Sequence, residues 1–136
     1  MIAYVIVSIA SGLLFGILDG VINANPLARR LFQVYDPIAR KSINPIAGML
    51  IDLFFGFVMA GAFLILYTSL PGVNGWLKGL SFAALLWFFR VVMYVASQWI
   101  MFTVPLKTLV YLLLAGLVEA FALGSLYGLT LAGSAG

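Results

Sequence analysis

Four ionisable side chains of this 136-residue chain fall inside long apolar stretches, and theirs are the residue types that could do chemistry: Asp19, Asp52, Arg90 and Glu119. A charge at the centre of a membrane span costs about 2.5–3.5 kcal/mol on insertion scales, so such residues are functional candidates by default. Arg90 lies near the middle of the third apolar stretch and Glu119 near the middle of the fourth. Antiparallel neighbours bring those positions to similar depth, which predicts an ion pair near the bilayer midplane. Such a pair either fixes the register of two helices, a buried pair serving specificity more than stability, or serves permeation or binding. Gly116, one turn before Glu119, predicts room for the guanidinium. Arg90, Tyr94, Ser97 and Gln98 recur at helical spacing, which predicts one polar face turned inward.

Asp19 and Asp52 form a second candidate set. Each lies a short way from the same end of its stretch, so the two carboxylates occupy one leaflet. They could share a proton, bind a cation with help from Asn23, Asn25 or Asn44, or pair with nearby arginines. Near an interface a carboxylate also reaches water at a gentler cost than at the midplane.

Other chemistry is excluded by absence. The chain has no Cys and no His, which removes disulfides, thiol nucleophiles, thiolate or imidazole metal sites and any Ser-His or Cys-His pair. An oxygen-ligand site for a hard cation remains possible; no cofactor is expected. The acidic contexts are Leu18-Asp19-Gly20 and Ile51-Asp52-Leu53, with neither a Gly-x-Gly-Asp stretch nor repeated Asp-x-x-Asp spacing. No glycine loop suited to phosphate leads into a helix.

These groups are positioned by membrane spans. The chain is 65% hydrophobic and 8% charged, against about 25% charged in a soluble domain. Four stretches, near 2–23, 46–70, 76–102 and 106–131, reach the roughly 20 residues a helix needs to cross a hydrocarbon core. Lipid offers no partner for backbone N–H and C=O groups, so each must be a helix. The expected fold is all-α, one antiparallel four-transmembrane-helix domain over 1–136. The first stretch has neither a basic leading region nor a clear cleavage pattern and is expected to be retained.

The connections add detail. Pro71-Gly72-Val73-Asn74-Gly75 reads as a tight turn joining the second and third helices. The long first loop contains Asn25-Pro26, Asp36-Pro37 and Asn44-Pro45, each pairing a capping side chain with a proline suited to a first helical position. Three helix starts are predicted. Over about 26–43, Leu27, Leu31, Val34, Tyr35 and Ile38 share one side, which predicts an amphipathic segment lying along the interface.

Lys and Arg in short loops resist translocation. Arg29, Arg30, Arg40, Lys41 and Lys107 lie at one end and Lys78 at the other. Five against one predicts both termini outside the cytoplasm in a cell (inner) membrane, with Arg29, Arg30, Arg40 and Lys41 contacting anionic lipid headgroups. Tyr4, Tyr67, Trp76 and Tyr127 would form one aromatic belt, and Trp99, Phe102 and Tyr111 the other. The net charge of +3 follows from this bias, so no nucleic-acid partner is expected. Ser8, Gly12, Gly16 and Gly20, and again Gly116, Ala120, Gly124 and Gly128, form stripes that admit a second backbone. They predict packing between helices one and four, or a homo-oligomer interface.

In length, helix count and one intramembrane glutamate the chain resembles the small multidrug transporters. That family carries its glutamate in the first helix, whereas Glu119 is in the fourth and no motif aligns, so no membership is assigned. Three functions stay open: a transport or permeation protein using the intramembrane charges, a non-catalytic lipid-binding or membrane-complex assembly protein, and, behind both, a lipid-acting enzyme with an aspartate dyad.

Overall fold

The structure is a computed structural model and describes residues 1–38 and 44–132. Four long apolar helices fill it: α1 (Ile2–Ala24), α3 (Pro45–Leu66), α4 (Gly75–Met101) and α5 (Leu106–Thr130). A short helix α2 (Pro26–Leu31) follows α1. Consecutive spans run antiparallel, so both termini and the α3–α4 turn share one end, the terminal end. The first loop and the α4–α5 turn share the other, the basic end.

Two of the three proline-linked starts are used. Asn25 Oδ1 accepts from Ala28 N at 2.8 Å to cap α2, and Asn44 Oδ1 accepts from Ile46 N at 3.0 Å to cap α3. Each side chain satisfies an N–H that the helix leaves free. The residues that a start at Asp36-Pro37 would lead into, beyond Ile38, lie outside the described residues. The chain from Phe32 to Ile38 is a 3₁₀ helix with Pro37 inside it, so the expected helical segment begins as α-helix and continues past Leu31 in 3₁₀ form. Thr108 Oγ1 donates to Leu31 O at 2.6 Å and competes for the carbonyl that an α-helix would offer to Tyr35, while Pro37 has no N–H to extend one. Arg40 and Lys41, and the end of the expected segment, lie outside the described residues.

The helices pair as two hairpins. α1 packs on α3, α4 on α5, and α1 on α5 between them. Glycine makes both hairpins tight. A Cβ on Gly12 would sit 2.9 Å from Asp52 O and from Leu53 Cα, and one on Gly56 would overlap the backbone of Ser8 and Gly12. Gly79 faces Gly124 and Gly128 in the same way. The small-residue stripes of α1 and α5 therefore seat α3 and α4, not each other, because backbone approach is closest within each hairpin. Their glycines are spent inside the chain, apart from Gly20, which has nothing within 4 Å.

At the terminal end all four helices converge. Phe63 of α3 packs against Phe82 of α4 at 5.5 Å and Tyr127 of α5 at 5.8 Å between ring centroids, with Val7 of α1 in the same core. Tyr127 is wholly buried rather than part of an interfacial belt, because its position on α5 faces this aromatic core. Gly72, at φ +143°, makes the turn beyond it; that conformation favours glycine. Lys78 Nζ closes the turn by donating to Tyr67 O at 2.8 Å.

Candidate functional site

Midway along α4 the helix widens into a π turn over Trp87–Val92. Such a turn holds more residues than an α turn, so side chains before and after it no longer follow the 3.6-residue stripe. The expected inward face is redrawn accordingly. Val91, Val95 and Gln98 are buried, whereas Tyr94 and Ser97 are exposed. Ser97 Oγ only returns to Met93 O of its own helix, at 3.0 Å. The space beside Gly116 is taken by Val91, not by the guanidinium: a Cβ there would lie 2.5 Å from Val91 Cγ2.

The guanidinium of Arg90 emerges beside α1. Its Cζ stands 4.6 Å from the Phe15 ring centroid, a cation–π contact. Nη1 lies 3.9 Å from Glu119 Oε2, with the arginine side chain 45% exposed and the glutamate side chain 6%. That separation is too long for a hydrogen bond, and Glu119 Oε2 is buried without one. A buried polar atom left this way costs about 1–3 kcal/mol.

Sequence spacing separated Asp19 and Asp52 from this pair; the structure does not. Asp19, Arg90 and Glu119 line one cavity of about 170 Å³, with Asn23 and Phe32 toward the basic end. Asp19, Asp52 and Arg90 line a second cavity of about 770 Å³ between α1 and α3. The Asp52 carboxyl lies over Gly16, where a Cβ would meet Oδ2 at 2.9 Å. Each of the four spans thus contributes one ionisable group to one region, with three carboxyls against one guanidinium. Among the described residues no group of three acidic side chains is placed to hold a metal ion.

Three aromatic side chains shape the approach: Phe32, which sequence reading passed over, and Tyr35 and Tyr111, which it placed only at the membrane interface. Phe32 lines the smaller cavity and packs edge-on against Tyr111 at 5.5 Å. Tyr35 OH donates to Gln98 Oε1 at 2.5 Å, and Gln98 Nε2 donates to Tyr94 OH at 2.5 Å. Tyr111 OH donates to Ile22 O at 2.5 Å and accepts from Asn25 Nδ2 at 2.9 Å, so this tyrosine ties α5 to the end of α1. The first-loop segment is thereby docked across the basic ends of α4 and α5, with Leu27 and Ile38 still exposed. Arg29 and Arg30 are exposed on α2. Asn23, Phe32, Tyr35 and Tyr94 line a shallower opening that shares Asn23, Phe32 and Tyr94 with the smaller cavity. Aromatic side chains near the end of a span or in the connecting loop carry no signal that would single them out from interfacial anchors.

Toward the terminal end the seam between α1 and α5 is closed. Ser11 Oγ donates to Ser8 O at 3.0 Å, while the Ser8 and Tyr127 hydroxyls are buried without partners. No family model, curated protein or solved structure matches this chain.

Proposed function

We propose that the protein is a small membrane transporter whose binding centre is Asp19, Asp52, Arg90 and Glu119. One observation carries this reading: Glu119, 5% exposed and with an unbonded oxygen, borders a cavity that continues toward the basic end, while Phe63, Phe82 and Tyr127 close the terminal end. Access from one side only is what a carrier needs in one of its two states, and an open pore would lack the aromatic closure. The excess of carboxyls over guanidinium favours a proton or small cation over an anion. Two carboxyls that line one cavity, Asp19 and Glu119, can share one proton when brought together. The π turn supports a moving part, since wide turns occur often at functional sites and a return to α geometry would rotate Arg90 relative to α1. Unpartnered hydroxyls on Ser8 and Tyr127 give the closed seam polar groups that would gain partners once water entered.

In this reading the basic end faces the cytoplasm of a cell (inner) membrane, since basic loop residues resist translocation. Arg29 and Arg30, with Arg40 and Lys41, meet anionic headgroups there. Four helices enclose little room, so a homo-oligomer belongs to the same reading. Proteoliposomes with an internal pH dye and an imposed potassium diffusion potential test it. Wild-type protein is expected to pass protons well above empty vesicles, and Glu119→Gln to abolish that flux in protein that still melts cooperatively. No flux above empty vesicles, or unchanged flux in Glu119→Gln, sinks the reading. A reporter fused after Gly136 that is active only in the cytoplasm would reverse the orientation.

A further inference from the structure

Tyr35 stands between two spaces. On one side it lines the shallow opening whose other walls, Asn23, Phe32, Tyr94 and Leu112, all line the smaller cavity as well. On the other side lies a cavity of about 260 Å³, walled by Val34, Ile38, Gln98, Phe102, Thr103 and Val104, and Tyr35 lines that space too. Its hydroxyl donates to Gln98 Oε1 at 2.5 Å, and Gln98 is held in turn by its own bond to Tyr94 at 2.5 Å.

We infer that Tyr35 is a side-chain gate on the basic-end approach to Asp19, Arg90 and Glu119, closed while its hydroxyl bonds Gln98 and opened when the ring rotates into the space beside Thr103. Little holds the ring in the closed position. One neutral hydrogen bond, of modest net strength, fixes its tip, and no residue of Phe32–Ile38 is buried, so close packing does not pin its base. The ring also has a place to go, since a space on its far side admits a change of rotamer without a shift of the backbone. The Thr103 hydroxyl lines that space and can accept the bond that Gln98 gives up. Lifting the whole segment would also break the bond from Thr108 Oγ1 to Leu31 O and the edge contact of Phe32 with Tyr111. Rotation of one side chain is the easier movement.

The inference rests on reading the charged groups as a centre reached from the basic end, and access is measured apart from transport. The native chain has no cysteine, so Ala115→Cys, in the wall of the smaller cavity, supplies a single reporter thiol. The probe is a methanethiosulfonate with a fixed positive charge, which reaches that thiol through water and not through lipid. It is added to protein in nanodiscs, and the labelling rate is read by intact mass. Tyr35→Ala is expected to raise the rate roughly tenfold, and Tyr35→Phe, which keeps the ring and loses the bond to Gln98, about threefold. Thr103→Trp, at an exposed position, fills the receiving space and should slow labelling severalfold. A tyrosine that only docks the segment predicts no change there. Slower labelling cannot come from unfolding, so Thr103→Trp decides the case if Tyr35→Ala destabilises the bundle. The parent rate in Tyr35→Ala or in Thr103→Trp, or no labelling in any variant, overturns the inference. Labelling that depends on Tyr35 and Thr103 without proton flux in proteoliposomes removes the transport reading and keeps the gate; flux with labelling indifferent to both residues does the reverse.

Discussion

The two ends of the bundle are built from the same four helices and obey different rules. At the terminal end, Phe63, Phe82 and Tyr127 interlock and glycines let the backbones of each hairpin touch. In lipid, where apolar surface gains little by leaving the solvent, this close packing is what holds helices together. Toward the basic end the charged groups face cavities, the arginine–glutamate contact is loose at 3.9 Å, and a docked loop segment stands in for helix packing. The difference teaches where each kind of substitution should register: volume changes at the terminal end on stability, and charge changes toward the basic end on the proposed transport.

The largest stability effect is expected from Gly56→Leu, whose side chain would have to displace the backbone of Ser8 and Gly12. Loss of folded protein, or more than about 4 kcal/mol in an unfolding titration in mixed micelles, is the expected result. A mild effect would show that the α1–α3 hairpin can separate freely and would erase the distinction between the ends. Phe63→Ala should follow, at about 2–3 kcal/mol. That is below the roughly 3–5 of water-soluble cores, because the unfolded reference in lipid keeps the ring away from water.

Glu119→Gln sharpens the comparison most. Arg90 is half-exposed and has Asp19 and Asp52 near it, so the stability loss should stay below about 1 kcal/mol. A loss of about 3–5 kcal/mol, partly recovered by exchanging the two residues, would instead assign the pair to register. The smallest effect is expected from Tyr35→Phe, which removes the hydrogen bond to Gln98 and loosens the first-loop segment by about 1 kcal/mol, read as faster amide exchange over Leu31–Ile38. Burial first, then the neighbouring Tyr94 charge, raises the Tyr35 phenol above its ordinary 10.0, against the lowering effect of Gln98. A raised folded-state value means the contribution is full below the unfolded value of about 10 and is lost as pH rises through the higher folded one. Docking should therefore be constant from about pH 6 to about pH 9, and a loss within that window would contradict the hydrogen-bonded arrangement.

The sequence by itself determined the four spans, their antiparallel order and the caps at Asn25 and Asn44. Those features depend on local composition: an apolar run of the right length has one way to satisfy its backbone in lipid, and a capping side chain acts within three residues of itself. It also brought Arg90 and Glu119 to comparable depth, since depth along a helix is counted in residues. Only the tertiary structure decided which faces meet. The rotation of each helix about its axis set the glycine stripes of α1 and α5 against α3 and α4 and put Tyr127 in the core. The π turn at Trp87–Val92 turned Val91 rather than Arg90 toward Gly116, and left Tyr94 and Ser97 outside. Asp19 and Asp52, read from spacing as a separate set, joined the Arg90–Glu119 region because α1 packs against both α3 and α5. Rotation and partner choice are sums over many weak contacts between distant residues, and no local pattern encodes them.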